Sequence, residues 1–260
     1  MEPLLTYRSV EVSFNGRAVT HDVSFTLHAG EILGIVGESG SGKSTLLKAA
    51  MGLLGNGGLV TKGDIWFKGK DLPDLPEKEL RKICGAGIGM IFQDAGASLC
   101  PIRTIGEQIY ESMSAHMEIT RSQAREKALA LFEKLQFKDG QRIWNSYPFE
   151  LSGGMNQRAG IAIAILMEPP VLLADEPTSA LDVAVQKQVI EEMLHLRELF
   201  GTAIILVTHD IGVVSAMADT VLVLKDGRIM EFGTAQQVLR EPRDAYTRKL
   251  LAAVPKLRRA

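Results

Sequence analysis

Eight consecutive residues, Gly37, Glu38, Ser39, Gly40, Ser41, Gly42, Lys43 and Ser44, fit the spacing GxxxxGK[ST] at every fixed position. Glycines at those places let backbone N–H groups curl around α- and β-phosphates, and a helix starting behind them adds partial positive charge. Lys43 would then reach the β- and γ-phosphates, and the Ser44 hydroxyl would take a position on Mg²⁺. The flanks agree. Residues 31–37 form an apolar run of strand length ending in glycine, and the stretch from Ser44 has helical spacing at Leu46, Ala49, Ala50 and Leu53.

Carboxylates narrow the chemistry. Asp175 and Glu176 follow the apolar run 171–174, which puts them at the carboxyl end of a strand buried on both faces, where α/β folds bind ligands. Asp175 suits a Mg²⁺ ligand, usually through water, and Glu176 suits a base that polarises an attacking water. His209 closes the next apolar strand and is expected on the same sheet edge as the two acids. Gln93 ends the run GIGMIFQ and offers a neutral oxygen to Mg²⁺ or to the lytic water.

A second glycine pair stands in LSGGMNQR, residues 151–158. It has neither a preceding strand nor a lysine, so it is not another loop of the first kind. Ser152 reads as an N-cap, followed by Gly153, Gly154 and a helix with Met155, Ala159, Ala162 and Leu166 on one face, stopped at Pro169 and Pro170. Free N–H groups and a hydroxyl at the positive end of a helix make an anion site.

The elements that must position these groups are legible as patterns. Continuous apolar runs within 171–176 and 203–210 predict parallel strands, with helical segments between them. Between about 104 and 149 the character is helical, and Thr120 with Gln123 has capping-box spacing ahead of a face made by Ala124, Ala128, Leu131 and Leu135. Asp226 and Gly227 divide two β-type runs as a hairpin turn, and residues 235–251 again read as helix. The predicted fold is α/β: a mostly parallel sheet, an antiparallel β portion near the N-terminus and a helical portion.

Composition excludes several alternatives. With 46% hydrophobic and 23% charged residues among 260, the chain reads as globular, and a net charge of -2 removes the broad electrostatic case for a nucleic-acid binder. Lys256, Arg258 and Arg259 read as a solvated tail. Cys84 and Cys100 have neither zinc-site nor disulfide-framework spacing, which fits a reducing compartment. The first residues carry no signal pattern and no long uncharged apolar run follows, so the chain is expected to be neither exported nor membrane-spanning, though able to sit against a membrane protein.

The ordered set of GESGSGKST at 37–45, Gln93, LSGG at 151–154, LLADE at 172–176, SALD at 179–182 and His209 resembles the ATP-binding cassette (ABC) family. The resemblance spans about 4–255 as one cassette domain with a helical subdomain at about 95–160, leaving 256–260 as tail. It implies a P-loop NTPase cassette with a RecA-like parallel-sheet core, ATP and Mg²⁺ as ligands, and ATP hydrolysis as the activity. By the same resemblance Thr45 joins the phosphate loop, Gln93 is the Q-loop residue, 179–182 ending in Asp182 is the D-loop, and His209 contacts the γ-phosphate. Phe14 falls where the family stacks an aromatic ring on adenine. Ser152, Gly153 and Gly154 would close in trans on ATP held by a second cassette, giving a head-to-tail dimer with two nucleotides between the subunits.

Met155 stands where many ABC proteins have glutamine, and LSGGM followed one residue later by QR resembles the subfamily importing peptides and nickel. Residues 93–101, with Cys100 where asparagine is common, and 244–255 resemble that subfamily too. The absence of a cysteine-bearing extension gives nickel or metal chelates a slight preference over short peptides. The implied partners are a second ABC ATPase, expected to be a paralogue, two permease subunits and an extracytoplasmic solute-binding protein, with no nucleic acid. The implied place is peripheral, on the cytoplasmic face of a bacterial membrane. A non-transport ABC ATPase of DNA repair or translation is the alternative; one cassette without sustained heptads or a basic surface weighs against it. A P-loop kinase leaves LSGG and His209 unexplained.

Overall fold

The computed structural model describes residues 3–179 and 181–253. Along the chain it contains β1 Pro3–Phe14, β2 Arg17–Ala18, β3 Val23–His28, β4 Ile32–Val36, α1 Lys43–Ala50, β5 Gly58–Phe67, β6 Lys70–Asp71 and α2 Glu77–Ile83. There follow β7 Ile88–Ile91, α3 Ala95–Ser98, α4 Ile105–Ser114, α5 Arg121–Lys134, α6 Gly140–Asn145, a 3-10 turn Pro148–Glu150, α7 Gly153–Ile165, β8 Val171–Asp175 and α8 Val183–Phe200. The last elements are β9 Ala203–Val207, α9 Ile211–Met217, β10 Thr220–Lys225, β11 Arg228–Thr234, α10 Ala235–Arg240 and α11 Ala245–Ala252. Two compact units result: the described residues up to Leu80 together with those from Ala203 onward, and residues 81–202.

In the first unit β4 pairs in parallel with both β10 and β9, and β11 closes the edge antiparallel to β10. All five residues of β4 and of β9 are buried, the continuous apolar pattern of central parallel strands. The edge strand β11 instead alternates exposed with half-buried residues. Asp226 (φ 48°) and Gly227 (φ 74°) form its turn, both left-handed as a tight hairpin requires.

A separate antiparallel sheet of this unit centres on β1, which pairs with β2, β3 and β5. The fully buried Tyr7 stacks on Phe25 at 4.3 Å and its hydroxyl donates to the Leu46 carbonyl at 2.9 Å, fixing α1 to β1. Helix α1 ends at Ala50 and Gly52 turns the chain left-handed, so Leu53 lies beyond the helix and is exposed rather than on its buried face.

In the second unit β7 and β8 pair in parallel, all residues of both buried. The stretch predicted helical between about 104 and 149 resolves into α4, α5, α6 and the 3-10 turn. Thr104 and Thr120 each form a full capping box, with Glu107 and Gln123 respectively, and a cap of this kind contributes about 1 kcal/mol. Ala124, Ala128, Leu131 and Leu135 are buried as their spacing predicts, joined by Phe132. Gln108 clamps the backbone of Cys100, accepting from the Cys100 amide at 2.8 Å and donating to its carbonyl at 3.1 Å. The side chain at 100 takes no part in that clamp.

Candidate functional site

The first unit builds the phosphate loop between β4 and α1. At Gly37 (φ 156°) a Cβ would lie 2.1 Å from the Leu224 carbonyl oxygen, so the loop leaves β4 where no side chain fits. Gly42 (φ 99°) is the N-cap of α1, and its first turn carries no acid. The buried Lys43 donates from Nζ to the carbonyls of Gly37 at 2.9 Å and Glu38 at 2.7 Å. Its ammonium is thus folded onto its own loop. The Ser41 hydroxyl is buried without a hydrogen-bond partner, and a buried polar atom of that kind calls for a ligand or water. Helix N-terminus, ammonium and unpaired hydroxyl together fit a phosphate group.

Around the loop, Gly227 donates its amide to the Ser41 carbonyl at 3.0 Å and the Glu38 amide donates to the Tyr246 hydroxyl at 3.2 Å. Ser44 and Thr45 are half-buried in the first turn of α1, Ser39 and Gly40 exposed at the loop's crest. Phe14 is half-buried at the end of β1, its Cε1 so near Gly58 that a Cβ there would lie at 2.7 Å. His209 is exposed, two residues past β9 and directly before Asp210, the N-cap of α9.

The second unit brings Gln93, Glu176 and Ser179 together at the end of β8. Gln93 Nε2 donates to Glu176 Oε2 at 3.3 Å. The Ser179 hydroxyl donates to the Glu176 carbonyl at 2.9 Å, with the Gln93 carbonyl at 3.3 Å, and the Ser179 amide also reaches the Glu176 carbonyl at 3.1 Å. Glu176 itself has φ 46°, a left-handed backbone that a residue with a long side chain occupies only where its surroundings enforce it. Asp175, the last residue of β8, is buried beside it.

Helix α7 starts as its sequence suggests. Ser152 is its exposed N-cap, accepting from the Met155 amide at 3.3 Å. Gly153 has open space around its Cα, whereas a Cβ on Gly154 would lie 2.8 Å from Val185 Cγ1 on α8. Asp182 caps α8, its Oδ1 accepting from Ala184 and Val185 at 3.0 Å. Between them, Ala180 of the 179–182 stretch lies outside the described residues, as does the 256–260 tail.

Two further residues of this region escape a pattern reading. Gln157 is buried and donates to the Pro177 carbonyl at 2.7 Å, tying α7 to the residue after Glu176. Arg158 is buried too, paired with Glu192 of α8, donating to the Leu135 carbonyl and lying 4.1 Å over the Phe137 ring. Burial pushes the Glu192 carboxyl above the ordinary range, against the pull of Arg158. Neither contact has a local signal in the sequence, because Pro177, Leu135, Phe137 and Glu192 all lie outside the helix.

A family model described as ABC transporter matches residues 20–179. The chain belongs to the ABC transporter family. It is 44% identical over 99% of its length to the oligopeptide transport ATP-binding protein OppD of Haemophilus influenzae, covering 80% of that protein. With the dipeptide transport ATP-binding protein DppD of Bacillus subtilis it shares 42% over 99% of its length and 78% of the relative's. Among solved structures, a dimeric ATP-binding cassette bound to ADP and Pi superposes with a TM-score of 0.78 at 30% identity, over 89% of this chain and 98% of that one. This ABC cassette is therefore an ATPase domain of known fold. Among its described residues no helix is long and apolar enough to cross a membrane.

Proposed function

We propose that this ABC ATPase powers the import of short peptides into a bacterial cell. It would act as one half of a head-to-tail cassette dimer, peripheral to two permease subunits that receive cargo from an extracytoplasmic binding protein. Relatives named for oligopeptide and dipeptide transport, matched over nearly the whole chain, support the cargo class. The dimeric cassette with ADP and Pi supports the pairing. The preference for nickel has no support of this kind, and peptide replaces it. No observation favours a role in DNA repair or translation.

In the proposed cycle Lys43 exchanges its loop carbonyls for β- and γ-phosphate oxygens, the amides of residues 37–45 line the phosphates, and Phe14 stacks on adenine. Mg²⁺, when bound, neutralises phosphate charge; Ser44, Gln93 and Asp175 are the oxygen donors suited to hold it. Glu176 takes the proton of the attacking water, its carboxylate oriented by Gln93 and its backbone fixed by Ser179. His209 donates to the γ-phosphate, while Ser152, Gly153, Gly154 and Asp182 act on the nucleotide of the opposing cassette.

The observation that carries the hydrolytic assignment is the left-handed Glu176 held by Gln93 and Ser179. Glu176→Gln should keep ATP affinity while turnover falls by about 10²–10⁴, measured as phosphate release against nucleotide binding. Unchanged turnover would remove Glu176 as the base.

A further inference from the structure

Tyr246 belongs to none of the nucleotide-binding motifs, yet its hydroxyl meets the phosphate loop. The ring is 9% exposed and sits in a core cluster with Val36, Val221, Val223 and Val238. That packing needs only an aromatic ring; phenylalanine would fill the same volume. The hydroxyl does something the ring does not. It accepts from the Glu38 amide at 3.2 Å, while the Glu38 carbonyl accepts from Lys43 Nζ at 2.7 Å. Residue 38 is therefore gripped on one side by the tyrosine and on the other by the phosphate-seeking lysine.

The tyrosine is itself placed by a relay of capping interactions. Glu231 on β11 accepts from the amides of Arg243 at 2.8 Å and Asp244 at 3.1 Å. Asp244 caps α11 by accepting from the amides of Tyr246 at 2.7 Å and Thr247 at 3.1 Å. The ammonium of Lys225 stands 4.9 Å from the Tyr246 ring centre, and two residues further on Gly227 donates to the Ser41 carbonyl. Residues 225–247 thus touch the loop at its second and fifth positions. Burial raises the Tyr246 phenol above its ordinary range, so it stays a neutral hydroxyl.

We propose that Tyr246 is a positioning residue for nucleotide binding: its hydroxyl holds the Glu38 peptide in the orientation that presents the loop to phosphate. This rests on the ATP-binding role of the loop. Without the hydroxyl, the Glu38 amide loses its acceptor and the loop must order itself on binding.

The test compares wild type, Tyr246→Phe and Leu250→Ala in steady-state ATP hydrolysis and thermal melting. Leu250 packs on the same cluster and has no polar side-chain atom to offer the loop. Tyr246→Phe should raise KM for ATP about 3- to 10-fold, with kcat at saturation and the nucleotide-free Tm nearly unchanged. Leu250→Ala should lower Tm and leave KM alone. An unchanged KM in Tyr246→Phe, or an equal rise in Leu250→Ala, overturns the proposal. Wild type that neither binds nor hydrolyses ATP would instead overturn the ATPase role on which it rests.

Discussion

At Glu176 a carboxylate stands on left-handed backbone, and a non-glycine residue held there costs on the order of 1–3 kcal/mol. The hydrogen bonds from Ser179 to its carbonyl offset part of that. Glu176→Gly should consequently lose turnover as Glu176→Gln does, yet match wild type in stability or exceed it by up to about 1 kcal/mol in chemical denaturation. A clear loss of stability would show that the side chain, not the turn, holds this segment. The two acids were legible at this scale because a buried apolar run ends in them. The backbone strain was not, since φ at one residue leaves no trace in residue type unless the residue is glycine.

Helix α7 illustrates how far local pattern carries. Its start was readable: Ser152 caps it and glycines follow. Much of its buried face was readable too, since Ala159, Ala162 and Leu166 are buried; Gln157 and Arg158 were not, because their partners, the Pro177 carbonyl and Glu192, come from distant sequence. Removing one member of a buried pair leaves the other charge stranded. Arg158→Ala should thus destabilise the protein by about 3–5 kcal/mol, read as a lowered denaturant midpoint. Gly154→Ala places a Cβ 2.8 Å from a Val185 methyl and should cost about 1–3 kcal/mol by overpacking α7 against α8. At α11 the relevant group is Glu231. Burial pushes its carboxyl up, but the Arg243 amide, the Thr247 side chain and the Asp244 amide together outweigh this and hold it below the ordinary range. A lowered carboxylate pKa contributes stability above the unfolded value near 4.3, and that contribution is lost as pH falls through the folded value. Protection of the α11 amides relative to their intrinsic exchange rates should therefore fall below about pH 4 in wild type, and in Glu231→Gln this acid step should be absent.

For the whole molecule, family membership was readable because six short motifs occur in one order, a pattern that no single element determines. Cargo was not readable, since no residue of a cassette of this kind need touch the solute. With ATP, Glu176→Gln should elute as a dimer in gel filtration, and adding Ser152→Arg should return it to a monomer without weakening ATP binding. A monomer in the first case, or lost binding in the second, would refute closure through Ser152. In the reconstituted complex, binding protein loaded with peptide should stimulate ATPase activity; stimulation by nickel or its chelate alone would reverse the cargo assignment.

The two carbonyl bonds that Lys43 makes to Gly37 and Glu38 have a bearing on the end of the cycle. If Lys43 takes phosphate as proposed, its ammonium would leave these carbonyls when phosphate arrives and return to them when phosphate leaves. The loop's own carbonyls then compete with ADP for the same cation. On that reading, release of the spent nucleotide would be assisted from within the site itself.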